Sequence, residues 1–273
     1  MSNITLLRVG SFWGYNRANN TISIEYIVSN TLRLLHVTDL HLGNNKGDCL
    51  SSIDCDESLN QVIEQLKNER YDALLITGDI ANHGAKSAYL RLQVYLSEIK
   101  MPVYMLPGNH DDKALMQQVF GELNNKIELG AWNLIFLDSN DGKHYHGQLS
   151  VNELDFLEGA LKQSEGRHTL IALHHPPVDI GSAWMDAMQL KNKQAFFDII
   201  DCFESPRAVV WGHIHQEFDQ YRRGVRLLSS PSTCSQFLPQ SAQHQKDTQA
   251  AGYRWLELNA DGSLDTGVIR VTG

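Results

Sequence analysis

The sequence predicts an α/β fold in which helices pack outside a β-sheet. Two observations lead to this prediction. Short apolar runs of strand length alternate with segments of helical periodicity over most of the chain, and a section of short strands without helices follows near the end. The chain has 273 residues, 42% of them hydrophobic, which is enough for one large domain or two small ones. It contains no internal repeat and no linker rich in Gly, Ser or Pro.

Strands and helices alternate through residue 211. Apolar residues at helical spacing (Leu59, Val62, Ile63, Leu66, then Tyr89, Leu92, Leu96, Ile99) mark the first two helices. A third helix begins near Lys113, a fourth follows Ser150 and Glu153 in capping-box spacing, and a fifth contains Phe196 to Ile200. The predicted strands are Leu32–Val37, Ala73–Ile76, Val103–Leu106, Trp132–Leu137, Thr169–Leu173 and Ala208–Trp211.

The two ends of the chain differ from this pattern. Val225–Leu228, Tyr253–Leu258 and Val268–Val271 are predicted strands with no helix between them, which favours an antiparallel section. Residues 1–30 are predicted to be an N-terminal extension with a small hairpin formed by residues 6–10 and 21–28, and residues 31–273 a single domain.

The composition excludes several classes of protein. No apolar run approaches the roughly 18 residues of a membrane helix, and the N-terminal residues do not have the pattern of a secretion signal. The four cysteines form no C-x-x-C pair, so we expect reduced thiols in the cytoplasm. The net charge is −9 with no basic stripe, which disfavours binding to long nucleic acid. The chain nevertheless has 12 histidines, whose positions are informative.

Five short polar clusters share one position, because each follows or ends a predicted strand. The carboxyl ends of strands in open α/β sheets are where ligands bind, so clusters distant in the chain can converge there. They are "VTDLH" (Asp39, His41), "ITGD" (Asp79), "LPGNHD" (Asn109, His110, Asp111), "ALHHPP" (His174, His175) and "VWGHIH" (His213, His215).

These side chains are the ligands that divalent metals prefer: carboxylate oxygen, imidazole nitrogen and an amide oxygen. Asp39 and His41, like His213 and His215, stand two residues apart, so in extended backbone each pair faces one way. Each cluster alone has an ordinary explanation as a loop, a turn or a capped strand end. Two histidines on one side of an apolar strand are harder to explain, because burying them is costly unless they are paired. The five clusters together predict a dinuclear metal site.

The order D-x-H, G-D, G-N-H-D, H-x-P, G-H-x-H resembles the calcineurin-like metallophosphoesterases from residue 36 to about 215. The resemblance implies two β-sheets packed face to face with helices outside, a four-layer αββα sandwich. It also implies that Asp39, His41 and His215 hold one metal ion, that Asn109, His174 and His213 hold the other, and that Asp79 bridges them. The H-x-P pattern selects His174 rather than His175.

The neutral amide of Asn109 preserves positive charge at such a site. Two divalent ions bring four positive charges and Asp39 with Asp79 removes two, so a phosphodiester anion is attracted although the whole chain is acidic. Two ions about 3.5–4 Å apart also lower the pKa of a bound water from 15.7 toward neutrality, which supplies a hydroxide nucleophile. Asn109 and His110 are candidate substrate contacts, and His110 is the candidate proton donor to the leaving group. Asp111 either fixes the His110 tautomer or caps the following helix.

Several further stretches resemble the bacterial class III 3′,5′-cyclic-AMP phosphodiesterases (CpdA type): residues 174–186, 211–219, 226–239 and 252–264. This resemblance implies hydrolysis of cyclic AMP to 5′-AMP with iron or manganese as Fe(II) or Mn(II), and Zn(II) is a third option. The residues by themselves predict only a phosphoester hydrolase. Other small phosphodiesters, such as 2′,3′-cyclic nucleotides or glycerophosphodiesters, remain alternatives. A scaffold without activity is expected to have lost ligands, and a nuclease of long DNA is disfavoured by the charge.

Overall fold

The computed structural model describes residues 9–16, 21–28, 31–67, 69–164 and 166–271. The chain divides into two compact units, Met1–Thr31 and Leu32–Gly273. The first unit contains strands β1 (Val9–Asn16) and β2 (Thr21–Val28), which pair antiparallel. The second strand of the predicted hairpin is therefore found where it was expected. The first lies further along the chain, and residues 6–8 of the predicted segment lie outside the described residues.

The second unit contains the remaining strands and helices. Its strands are β3 (Leu32–Val37), β4 (Cys49–Leu50), β5 (Ile53–Asp54), β6 (Ala73–Thr77), β7 (Val103–Leu106), β8 (Lys126–Leu129), β9 (Trp132–Phe136), β10 (His168–Ala172), β11 (Pro206–Trp211), β12 (Phe218–Arg222), β13 (Val225–Ser229), β14 (Gly252–Leu258) and β15 (Leu264–Arg270). Its helices are α1 (Cys55–Leu66), α2 (Lys86–Leu96), α3 (Lys113–Phe120), α4 (Val151–Lys162), α5 (Ala183–Asp186) and α6 (Lys193–Ile200).

Two sheets form the centre of this unit. One has five strands in the order β15-β14-β3-β6-β7, and the other has six in the order β12-β13-β11-β10-β9-β8. Apolar side chains from both sheets form one buried cluster, in which Leu34, Leu75 and Leu256 of the first sheet join Leu134 and Val210 of the second. The sheets are thus packed face to face, as the resemblance implied.

Helices cover the outer face of each sheet. Side chains of α1, α2 and α3 share a cluster with the five-stranded sheet, and those of α4 and α6 share one with the six-stranded sheet. Leu59 of α1 and Leu157 of α4 are both almost fully buried in these clusters. The helix–sheet–sheet–helix order confirms the predicted four-layer αββα sandwich. No helix in the described part of the chain is both long and apolar enough to cross a membrane.

The predicted cap of α4 is half formed. The Ser150 hydroxyl oxygen accepts the Glu153 N–H at 3.2 Å, as the spacing predicts. The Glu153 carboxylate does not bond back to Ser150, because it accepts the backbone N–H of Asp138 at 3.1 Å instead. The capping-box residue thus links α4 to the segment after β9.

The β-rich end departs from the prediction at β12, at β13 and at β15, which begins at Leu264 rather than Val268. β14 and β15 pair antiparallel, and β14 is also antiparallel to β3. β13, however, runs parallel to β11 and antiparallel only to β12, a strand that the prediction missed. Its burial pattern explains the omission, since most of β12 is polar and exposed or half-buried.

Parallel pairing brings the strand ends together. β3, β6 and β7 are parallel neighbours in one sheet, and β9, β10, β11 and β13 are parallel neighbours in the other. Polar segments that follow β3, β6, β7, β10 and β11 therefore emerge at carboxyl ends of strands, where the five predicted clusters lie.

Candidate metal centre

All five predicted clusters contribute side chains to groups of potential ligand atoms that lie within 4.8 Å of one another. Asn109, which is not in these groups, lies beside His174. One group joins Asp39, His41 and His215. Here His41 Nε2 lies 3.0 Å from His215 Nε2, and His215 Nε2 lies 3.5 Å from Asp39 Oδ1. All three side chains are buried. This group could hold one metal ion.

A second set of ligands surrounds His174. Its Nε2 atom lies 3.1 Å from Asn109 Oδ1 and 3.4 Å from Asp79 Oδ2. His213 belongs to a group with His174 and His175, and its Nε2 atom is buried without a hydrogen-bond partner. A buried nitrogen lone pair without a donor is unfavourable unless something fills the space before it. A cation suits that position.

Asp79 lies between the two sets. Its Oδ2 atom is 3.4 Å from His174 Nε2 and 3.7 Å from His41 Nε2, and it takes part in groups with either histidine. Its other oxygen, Oδ1, accepts the backbone N–H of His110 at 2.9 Å. One carboxylate oxygen is thus held by backbone, while the other faces histidines of both sets.

Backbone carbonyls orient two of the histidines. His174 Nδ1 lies 2.7 Å from the Thr77 carbonyl oxygen, and His215 Nδ1 lies 2.6 Å from the Ser235 carbonyl oxygen. A carbonyl can only accept, so each Nδ1 carries a proton and each Nε2 is the nitrogen that faces the site. This is the usual arrangement of histidines that bind a metal.

The backbone at the ligands is not extended. Asp39, His41, Asp79, His213 and His215 have φ angles between 49° and 67°. The predicted extended backbone at Asp39 and His41 and at His213 and His215 is therefore wrong. His213 and His215 in fact join different groups. Left-handed backbone is unfavourable for residues other than glycine, and its concentration here is typical of functional sites.

Two motif glycines are required by close approach. A Cβ atom on Gly108 would overlap the backbone nitrogen and Oδ1 of Asp79, and one on Gly212 would overlap the Thr38 hydroxyl. The same atom on Gly212 would also meet Asp39 Oδ2 at 2.9 Å. Glycine in G-N-H and G-H-x-H thus lets neighbouring loops approach the carboxylates.

Burial and charge set the protonation of the site without metal. Burial lowers the pKa of His41 to about 3 and holds the pKa of His213 well below its usual value. Burial by itself raises the pKa of Asp39 and Asp79, but His215 and His174 outweigh it and hold both carboxyl pKa values below the ordinary range. Burial opposes protonation of His174 too, yet Asp79 and Asp39 raise its pKa to about 9.

The donor set fits a pair of divalent cations. It combines ionised carboxylates, imidazole nitrogens and one amide oxygen, which suits hard to borderline metals. In the metal-free protein the protonated ring of His174 supplies the positive charge next to Asp79. A cation that replaces this proton would satisfy the same oxygens.

His175 is close to the site but differently bonded. Its Nδ1 atom lies 2.8 Å from the Ser139 hydroxyl oxygen, and its Nε2 atom is buried without a partner. Its ring centre is 4.7 Å from that of His213. Both His174 and His175 therefore lie near His213, and the assignment of His174 as the metal ligand rests on the H-x-P resemblance.

His110 lies beside the buried ligands, in a group with His41 and Asp79, but is itself only half-buried. Its Nδ1 atom lies 2.7 Å from the Asn82 carbonyl oxygen, so Nδ1 carries a proton and Nε2 is the free ring nitrogen. His110 is half-buried and lines a cavity of about 200 Å³ together with Asp79 and Asn109. The ring can contact a molecule in that cavity.

Asp111 has neither of its predicted roles. The helix cap is Asp112, whose carboxylate accepts the Leu115 N–H at 3.0 Å, and the His110 tautomer is set by Asn82. Asp111 instead accepts the N–H groups of Ile80, Ala81 and Gly108 and the Tyr89 hydroxyl. Its oxygens thus fasten the segment after Asp79 to the Gly108 turn, so the assignment as a catalytic residue is corrected to a structural one.

Some residues around the site were not predicted. The carbonyls of Thr77, Asn82 and Ser235 orient histidines, and backbone atoms leave no signal in residue types. Trp184 and Phe237 line the cavity and lie in stretches 174–186 and 226–239, whose resemblance was noted without a role for either ring.

Known proteins resemble this chain over most of its length. Residues 32–217 match the family Calcineurin-like phosphoesterase. The chain is 40% identical over 243 residues to the 3′,5′-cyclic adenosine monophosphate phosphodiesterase CpdA of Pseudomonas aeruginosa, covering 87% of this chain and 89% of that protein. It is 35% identical over 247 residues to the CpdA of Escherichia coli strain K12, covering 88% and 90%. A 3′,5′-cyclic-nucleotide phosphodiesterase of Nostoc is 38% identical over 88% of this chain and 92% of its own length.

Solved structures agree on the fold. A dimetal phosphatase from Danio rerio superposes with a TM-score of 0.63 at 12% identity, covering 88% of this chain and 99% of the other. The Plasmodium protein GAP50, described as an anchor in the inner membrane complex, gives 0.63 at 14% identity over 89% and 85%. At these identities the likeness concerns the fold alone. With the family match over residues 32–217 and the full-length relatives, it follows that this chain belongs to the calcineurin-like phosphoesterase family.

Proposed function

We propose that the protein is a metal-dependent phosphodiesterase that hydrolyses 3′,5′-cyclic AMP to 5′-AMP. The observation that carries the proposal is the position of Asp79, whose Oδ2 atom faces histidines of two ligand sets beside a cavity of about 200 Å³. The relatives from P. aeruginosa and E. coli, named cyclic-AMP phosphodiesterases, support the choice of substrate. They match the chain well beyond the metal motifs.

The ligands divide between two cations. Asp39, His41 and His215 would hold one cation, Asn109, His174 and His213 would hold the other, and Asp79 would serve both. When bound, such a pair of cations polarises the phosphodiester and activates a water as the nucleophile. Fe(II) or Mn(II) is the proposed metal and Zn(II) an alternative, since all three accept imidazole nitrogen.

The protein groups orient the phosphodiester and handle its leaving oxygen. Asn109 and His110 border the cavity where the phosphate sits, beside the carboxylate of Asp79. In the reaction the bond between phosphorus and the 3′ oxygen breaks, the water oxygen becomes bonded to phosphorus, and the 3′ oxygen gains a proton. Because His110 Nδ1 already donates to Asn82, Nε2 is the nitrogen that delivers this proton, from the doubly protonated ring.

The rest of the chain fits this proposal. The sequence has a residue of the expected type at all seven proposed ligand positions, and these side chains lie near one another, which supports an enzyme over a scaffold that has lost its activity. Residues 31–273 are proposed as the single catalytic domain and residues 1–30 as an extension, in keeping with a family match that begins at residue 32. The four cysteines are free thiols, which supports a reducing compartment and leads us to propose the cytoplasm.

A metal and substrate panel tests the proposal. The metal-depleted protein is reconstituted with Fe(II), Mn(II) or Zn(II) and assayed on 3′,5′-cyclic AMP, 2′,3′-cyclic AMP and glycerophosphocholine. We expect two equivalents of metal and the highest kcat/KM on 3′,5′-cyclic AMP. A higher kcat/KM on one of the other phosphodiesters would identify that compound, rather than cyclic AMP, as the substrate. No turnover of any of the three at full metal content would indicate a scaffold without activity.

A further inference from the structure

The cavity beside the ligands has two chemically different sides. His110, Asn109 and Asp79 form a polar side. The other side is formed by Trp184, Met185, Met188, Phe237 and His244, which are aromatic or polarisable side chains. A phosphate bound among the cations would fill only the polar side, so the second side is available to another part of the same molecule.

Three rings of this second side contact one another. The Trp184 and Phe237 ring centres are 5.1 Å apart, those of Trp184 and His244 are 5.0 Å apart, and those of Phe237 and His244 are 5.0 Å apart. Each contact is edge to face, with interplanar angles of 70° to 78°. Neither neighbour therefore covers a face of the Trp184 indole by parallel stacking. We call Trp184, Phe237 and His244 the aromatic wall.

The aromatic wall is fixed to the metal centre. Phe237 stacks on the proposed ligand His215, with ring centres 4.0 Å apart and an interplanar angle of 10°. The Phe237 N–H also donates to the His215 carbonyl oxygen at 3.3 Å. The loop that carries His244 is tied to the same segment, because the Leu238 N–H donates to the Gln245 carbonyl at 2.8 Å. Phe237 and the loop that carries His244 are thus held next to the proposed ligand His215.

Trp184 also has a hydrogen-bond donor without a partner. Its Nε1 atom is buried and has no partner, although the residue as a whole is half-buried at the cavity. A buried indole N–H normally finds an acceptor. The ring nitrogens of a purine are acceptors, and its faces stack on aromatic side chains.

From this geometry we infer that the aromatic wall is the subsite for the nucleobase, with the base against Trp184 and Phe237 while the phosphate lies at the metal ligands. The inference rests on the proposed function, because it assigns the cavity to a nucleotide. The aromatic wall, and Trp184 in particular, would then select nucleotides over phosphodiesters that have no base. Stacking on aromatic side chains increases affinity by about 5- to 150-fold per base.

The test compares two ligands that share a phosphate and a ribose. Binding of 5′-AMP and of ribose 5-phosphate to the metal-loaded protein is measured by calorimetry, which requires no turnover. We expect 5′-AMP to bind about 10- to 100-fold more tightly. In Trp184→Ala this ratio should fall to about 1 to 3, with unchanged affinity for ribose 5-phosphate and unchanged metal content. His244→Ala, at an exposed position and safe for folding, should lower the ratio by about 2- to 5-fold.

Two controls give the result its meaning. Trp184→Phe keeps an aromatic face and should retain most of the ratio, whereas Tyr221→Ala, at a 66% exposed ring on β12, should leave it unchanged. Equal affinities for the two ligands in the unsubstituted protein, or a ratio that survives Trp184→Ala and His244→Ala, would overturn the inference. A failure to hydrolyse cyclic AMP would instead refute the proposed function. The comparison of 5′-AMP with ribose 5-phosphate would still test whether the aromatic wall binds a base.

Discussion

The backbone N–H of His110 donates a 2.9 Å hydrogen bond to Oδ1 of Asp79. This bond holds the carboxylate at one oxygen and leaves Oδ2 facing His41 and His174. Two motifs far apart in the chain are therefore joined through one aspartate, and several properties of the centre depend on it.

Asp79→Ala should lose both metal ions, because the shared oxygen contributes to both ligand sets. Elemental analysis after dialysis of the variant should find well under one equivalent in total. Asp155→Ala, which removes an exposed carboxylate on α4, should keep two. Retention of one full equivalent in Asp79→Ala would show that the two sets bind independently.

His174→Ala and His175→Ala should separate the two adjacent histidines. His174 Nε2 lies 3.4 Å from Asp79 and its Nδ1 is fixed by Thr77, so its loss should remove one equivalent of metal and most activity. His175, bonded to Ser139, should be replaceable with two equivalents retained. Metal content and kcat on cyclic AMP are measured for both variants, and the reverse pattern would transfer the ligand role to His175.

His110→Asn should impair the chemical step without loss of metal. Removal of a positioned proton donor typically costs about 10²–10⁴-fold in rate. The loss should be large on cyclic AMP, whose leaving group is a basic alkoxide, and small on bis(p-nitrophenyl) phosphate, whose phenolate needs little help. Equal losses on both substrates would leave His110 as a positioning residue, and a missing metal would make it a ligand.

Gly108→Ala should disturb the centre through Asp79. The added methyl group would overlap the backbone nitrogen and Oδ1 of that residue, so the variant should lose metal affinity and about 1–3 kcal/mol of stability. Gly159→Ala is the matched control, because no atom lies within 4 Å of the added group in α4. That helix substitution should stabilise by up to about 1 kcal/mol. Urea unfolding and metal titration of both variants check the expectation.

His36 should make the metal-free protein less stable in acid. Burial, with a smaller contribution from the Arg254 charge, lowers the His36 pKa from 6.5 to about 3, so below pH 6.5 the unfolded chain binds a proton that the folded protein does not. Stability then falls with falling pH by about 1.4 kcal/mol per unit between these values. His36→Gln, which can keep the bond to the Thr77 hydroxyl, should reduce this slope by about that amount. Urea unfolding at pH 7 and pH 5 with chelator present measures both slopes, and identical slopes would contradict the expectation.

Local pattern determined the strands and the ligand types of this protein. The bounds of β3 (Leu32–Val37) and β7 (Val103–Leu106) were predicted to the residue, since both are mostly apolar segments of strand length that end at polar or Pro-Gly residues. The convergence of the five polar clusters was also predictable, because parallel strands place their carboxyl ends at the same edge of a sheet. β12 escaped prediction because an exposed strand carries no apolar run.

Tertiary contacts decided the rest. Asp111 bonds to Ile80 and Ala81, some thirty residues away, and no local pattern distinguishes this role from a helix cap. Gly212 approaches Thr38 and Asp39 so closely that a Cβ atom would not fit, although more than 170 residues separate these segments in the chain. The stacking of Phe237 on His215 likewise joins segments that are separate along the chain. The residue types determine which chemistry is available to the site. The packing of the two sheets determines which of these atoms come into contact, because such contacts depend on the positions of whole layers rather than on neighbours in sequence.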